Sequence, residues 1–111
     1  SGPALSRDYR VAAGEPLEPA QIVARAETGN SACEAVLARY EERLARALAS
    51  VINFLDPDVI VLGGGMSNAE RLYRNVPAHW GAHVYSDTVA TRLVKAAHGD
   101  ASGVRGAARL W

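Results

Sequence analysis

Three glycines in succession, Gly63, Gly64 and Gly65, followed by Met66, Ser67 and Asn68, are the residues of this chain best suited to hold a ligand. Without a Cβ, the backbone can turn sharply there and bring its amides close to a bound group. Ser67 and Asn68 are residue types that cap helices, and the amides at a helix N-terminus tolerate anions. The spacing sets this turn apart from two familiar phosphate binders. No Gly-Lys-Ser or Gly-Lys-Thr follows, as a P-loop requires. Gly63, Gly65 and Asn68 give G-x-G-x-x-N, with Asn68 standing where the dinucleotide fingerprint needs a small residue. Taken alone, a glycine triplet is equally a tight strand-to-helix turn with no ligand.

Other pairings carry less chemistry. Glu41 and Glu42 are adjacent carboxylates, but neighbours on a helix point about 100° apart and do not share a site. Both are expected on a solvated face with Glu34, Arg39, Arg43 and Arg46, where Glu42 and Arg46 form an i,i+4 pair. His79 and His83 also stand four apart, a spacing at which two imidazoles can share a metal. Trp80 occupies the position that a zinc-protease helix gives to Glu, and only Asp87 adds an acid nearby, so surface or interface histidines are expected. Trp80, Tyr73 and Tyr85 read as packing or subunit contacts rather than a cofactor box.

The elements that must position the turn can be read around it. Val59, Ile60, Val61 and Leu62, bounded by Asp56-Pro57-Asp58 and the glycines, read as a buried parallel strand. Before it, Asn30 or Ser31 caps a long helix to about Phe54. Its apolar stripe is Val36, Leu37, Tyr40, Leu44, Ala47, Leu48, Val51, Ile52 and Leu55. Earlier still, residues 1–19 read as loop with room for a short helix at 6–11, and Pro19 opens a short helix that Gly29 ends. After the turn a helix is expected over 69–84, interrupted near Pro77 and Gly81. An alternating strand follows over 89–96, parallel to the first. Gly99-Asp100 marks a turn, and Asp100 or Ser102 caps a final helix over 103–110. The order β-α-β-α behind a long helix predicts an α/β layer fold.

The segment LDPDVIVLGGGMSN, with RYEERLARALASVINF before it, resembles the adenosine motif and long helix of ROK-family sugar kinases, bacterial fructokinases in particular. SGPAL at the start resembles the stretch that follows the family's cysteine-rich zinc motif, and HGDASGVRGAARLW its terminal segment. The resemblance covers nearly the whole chain. It implies that residues 1–111 are the C-terminal part of a ribonuclease-H-like lobe of the actin, hexokinase and sugar-kinase group, with few parallel strands and flanking helices. It further implies phosphorylation of a hexose, most closely fructose, by ATP with Mg2+, in a cytoplasmic homodimer. The nucleotide would be held at Gly63, Gly64, Gly65, Met66, Ser67 and Asn68. The catalytic base, the phosphate loops and the structural zinc ligands of the family have no counterpart in this stretch, so no residue here is assigned a catalytic or metal role. A ROK-type transcriptional repressor lobe and a non-catalytic dimerisation domain are the alternatives.

Composition agrees with such a lobe. The 111 residues suffice for one domain, and 49% hydrophobic content is ordinary for a globular chain. No apolar run is long enough to span a bilayer. Twelve basic residues, of which Lys95 is the one lysine, balance 12 acidic ones, and zero net charge argues against a nucleic-acid surface. The single Cys33 cannot form an intrachain disulfide, and no signal peptide is recognised, so a reducing cytoplasm is expected.

Overall fold

The structure, a computed structural model, describes residues 17–97 and the backbone of residues 108 and 109. The expected loop and short helix before residue 17 lie outside the described residues. The described residues belong to two compact units, one running to Tyr40 and the other starting at Glu41.

In the first unit, local chemistry settles the helix ends. Helix α1 (Pro19–Glu27) has Pro at its first position, where the missing N–H would have no partner anyway. Gln21 reaches back so that its Oε1 accepts from the Glu18 amide at 2.9 Å. At the other end Gly29 takes φ +101°. Its amide donates to the Ala26 carbonyl at 3.1 Å and the Asn30 amide to the Arg25 carbonyl at 3.0 Å, the Schellman arrangement. Asn30 also opens helix α2 (Ser31–Leu55), its Oδ1 accepting from the Cys33 amide at 2.9 Å. One residue thus closes one helix and starts the next. Ile22, Cys33, Val36, Leu37 and Tyr40 are buried.

In the second unit α2 buries Glu41, Ala45, Leu48, Ala49 and Ile52. The expected stripe is therefore turned. Ala47 is exposed and Leu55 is 64% exposed, while two small residues and an acid take inward positions. Asp56, at φ +46°, stops the helix with its amide still bonded to the Ile52 carbonyl at 2.9 Å. Pro57 cannot continue it.

Three parallel strands follow, β1 (Val59–Leu62), β2 (Arg92–Lys95) and β3 (Ala108–Arg109), in the order β2-β1-β3. Val59 pairs with Arg92 and Leu62 with Lys95, while Ile60 and Val61 pair on the other side with Ala108 and Arg109. Ile60, Leu62 and Leu93 are buried. The expected strand over 89–96 shortens to four residues because β1 offers four partners. Thr91, just before β2, is buried and donates its hydroxyl to the Pro57 carbonyl at 2.6 Å.

The terminal helix expected over 103–110 is corrected at residues 108 and 109, which form the third strand. Ala108 is a good helix former, but the free edge of β1 supplies ladder partners that outweigh local propensity. Residues 98–107, 110 and 111 lie outside the described residues. The helix expected over 69–84 also contracts. Helix α3 (Leu72–Trp80) buries Leu72, Val76 and Trp80 at four-residue steps and lies against β2. It gives way to a 3-10 turn at Gly81–His83, the division expected near Gly81. Pro77 sits inside α3, where it has no N–H to donate to the preceding turn.

Candidate functional site

The glycine turn leaves the carboxyl end of β1, the central strand of a parallel sheet, which is where ligands bind in open α/β sheets. Gly64 has φ +86° and ψ 179°, a backbone state essentially restricted to glycine. A Cβ added at Gly64 or Gly65 would meet nothing within 4 Å. Neither glycine is therefore required by packing against the described residues. Gly64 is required by its backbone, and no described residue fills the space over either.

Residues Gly65–Asn68 form one 3-10 turn. Three residues per turn send Met66 and Ser67 into the interior, while Gly65 and Asn68 stay exposed and Gly63 and Gly64 are half-buried. Ser67 grips Gly64 twice. Its amide donates to the Gly64 carbonyl at 3.1 Å and its hydroxyl to the same oxygen at 2.6 Å. Tyr73 Oη donates in turn to the Ser67 carbonyl at 2.5 Å. The expected capping of the next helix by Ser67 or Asn68 is corrected. The 3-10 turn and three further residues intervene, and α3 begins after Arg71 with no side-chain cap.

Glu41 is the second correction. Expected on a solvated face, it is 2% exposed. Its carboxylate accepts from Arg71 Nε at 2.7 Å and Arg71 Nη2 at 3.1 Å, and both its oxygens accept from Asn75 Nδ2 at 3.2 Å. A buried carboxylate is tolerable when so fully bonded. The four-residue spacing of Arg71 and Asn75 is a trace of this cluster in the sequence, but nothing local ties either residue to Glu41. Glu42 and Arg46 do pair on the exposed side, at 3.3 Å.

His79 is exposed and His83 half-buried, and among the described residues no group of three His, Cys, Asp or Glu is arranged to hold a metal ion. Trp80 packs inside, whereas Tyr85 is 92% exposed. Asn53, which no motif singled out, clasps the segment before Tyr85. Its Nδ2 donates to the His83 carbonyl at 2.9 Å and its Oδ1 accepts from the Tyr85 amide at 2.8 Å. No helix of the described residues is long and apolar enough to cross a membrane. The arrangement can cradle a ligand against exposed backbone and the Asn68 carboxamide.

The whole chain, residues 1–111, matches the ROK family. An N-acetyl-D-glucosamine kinase of Photobacterium profundum is 42% identical over 110 residues, covering 99% of this chain and 36% of that protein. The N-acetyl-D-glucosamine kinase of Vibrio cholerae is 38% identical over 97 residues, covering 87% and 32%. The crystal structure of a ROK hexokinase from Thermus thermophilus superposes with a TM-score of 0.76 at 27% identity, covering 89% of this chain and 35% of that one. The chain thus spans about a third of the length of the relatives it matches. The expected fold class, part of an actin- and hexokinase-type ATPase lobe, is the one observed. The relatives do not support the closer likeness to fructokinases.

Proposed function

The chain belongs to the ROK family, and from that premise we propose that it supplies the adenosine-binding, C-terminal part of a cytoplasmic, homodimeric kinase transferring the γ-phosphoryl group of ATP to a hexose. The observation that carries the nucleotide assignment is Gly64, held in a glycine-only conformation at the carboxyl end of the central strand, with no described residue over it. The six residues of the turn divide the work. The backbone of Gly63, Gly64 and Gly65 lies along the nucleoside, and the exposed Asn68 carboxamide donates to a ribose or phosphate oxygen. Met66 and Ser67 act from below, Met66 filling the interior and Ser67 holding the Gly64 carbonyl. This is positioning, and it matters because phosphoryl transfer depends mostly on alignment and charge stabilisation. Mg2+ would neutralise the phosphates when bound, but the described residues offer it no ligand cluster, nor zinc one. The base that deprotonates the sugar hydroxyl belongs to the rest of the protein.

For the sugar, the named relatives support N-acetyl-D-glucosamine over fructose. The test is a kinase assay on the full-length parent with ATP, Mg2+ and a panel of N-acetyl-D-glucosamine, glucose and fructose. The highest kcat/KM is expected for N-acetyl-D-glucosamine, and none of the three being phosphorylated would sink the kinase reading. The 111-residue chain by itself is expected to give no turnover; measurable turnover would put the base within these residues.

A further inference from the structure

We infer that Glu41 and Tyr73 are positioning residues for the nucleotide turn, Tyr73 through hydrogen bonds that run by Ser67 to Gly64 and Glu41 through its hold on the first turn of α3, which carries Tyr73. The inference rests on the nucleotide reading above and names residues outside the glycine motif. Glu41 grips α3 at its start. Arg71 immediately precedes the helix, Asn75 lies one turn along it, and the Asn75 amide bonds to the Arg71 carbonyl at 2.9 Å. Both side chains converge on the one buried carboxylate. Between them in sequence, Tyr73 extends to the Ser67 carbonyl, and Ser67 places two donors on the Gly64 carbonyl.

The direction of that carbonyl is what fixes the unusual conformation of Gly64. Rotating it away breaks both Ser67 bonds, and moving Ser67 breaks the Tyr73 bond. Shifting the first turn of α3 separates Arg71 and Asn75 from a carboxylate that has almost no access to water. A buried, multiply bonded carboxylate tolerates little displacement, because an unsatisfied charge in the interior is costly. The cluster therefore supplies the rigid end of the series, and the glycine turn inherits its position. A turn set in advance binds with less ordering cost than one that must be ordered by its ligand.

The test uses Tyr73→Phe and Glu41→Gln in the full-length parent, with two readouts. Hydrogen exchange of the amides of residues 65–68 is measured without nucleotide, and KM for ATP is compared with KM for the hexose. Tyr73→Phe deletes one hydroxyl, so exchange is expected to speed up by about two- to tenfold and KM for ATP to rise by a similar factor, the range of one hydrogen bond. KM for the hexose is expected to stay within about twofold. Glu41→Gln keeps the shape and is expected to move the same two quantities in the same direction. Unchanged exchange in both variants overturns the inference. Equal rises in both KM values also overturn it, since they mark a disturbance shared by both substrate sites rather than one of the nucleotide turn. Faster exchange in a parent that binds no ATP would support the hydrogen-bonded series while refuting the nucleotide reading, so the two failures remain distinct.

Discussion

Gly64 and Gly65 are adjacent and chemically identical, yet only one of them needs to be glycine for the fold. At φ +86° Gly64 lies where an L side chain is strained, and Gly64→Ala is expected to cost about 1–3 kcal/mol of stability, read by thermal unfolding. Gly65 has no such backbone constraint and, among the described residues, no atom within 4 Å of an added methyl, so Gly65→Ala is expected to change stability by less than about 0.5 kcal/mol. That makes Gly65→Ala the cleaner probe of function. In the full-length parent it is expected to raise KM for ATP while leaving KM for the hexose alone. Unaltered ATP kinetics in this stable variant would show that the space over the turn is not the nucleotide's. The triplet and its place after a strand were legible in the sequence, because glycine runs and β-branched runs are local signals. The division of labour among the six residues was not. It depends on the 3-10 geometry, which turns Met66 and Ser67 inward, and on one carbonyl direction that composition does not encode.

Among the elements, what was legible follows the range of the interactions. The Asn30 cap, the Gly29 stop and the break near Gly81 rest on bonds within a few residues, and all were readable. Glu41 and β3 were not, since their partners lie 30 or more residues away, in Arg71 and Asn75 and on the edge of β1. An acid among alternating charges looks solvated until its partner is known, and Ala108 looks helical until a strand edge is offered to it. Asn53 belongs to this second kind. Its carboxamide joins the end of α2 to the chain at His83 and Tyr85 through two bonds that are exposed to solvent. Asn53→Ala is expected to destabilise by about 1–2 kcal/mol, since each net hydrogen bond contributes about 0.5–1.5 kcal/mol and solvent replaces part of it. Asn53→Asp keeps the acceptor for the Tyr85 amide but loses the donor to the His83 carbonyl, so it should fall between wild type and Asn53→Ala. Urea unfolding midpoints in the order wild type, Asp, Ala would bear this out; equal midpoints would mean that water serves as well as the clasp.

For the molecule as a whole, the 111-residue chain taken by itself is expected to self-associate. Phe54 is 89% exposed, Leu55 64% and Tyr85 92%, and the Asn53 clasp ties the backbone at Tyr85 to the helix end that carries the other two. Among the described residues, β2 and β3 each pair on one side only, with β1. Unpaired strand edges are templates for association. Apolar surface costs about 25 cal/mol per Å² when left in water, so covering a few hundred square ångströms is worth several kcal/mol. Stability of a small domain is about 5–15 kcal/mol in total, so that gain is of comparable size. A symmetric dimer, or an exchange of one element between copies, covers such surface without any new sequence. Sedimentation equilibrium at micromolar concentration measures this directly, and a mass above that of a single chain is expected. Phe54→Ser with Tyr85→Ser should lower it toward the monomer while leaving helical circular dichroism in place, because neither side chain is part of the buried core. A folded monomer in the unsubstituted chain would show that these aromatic residues are stable in water and that the strand edges are already protected.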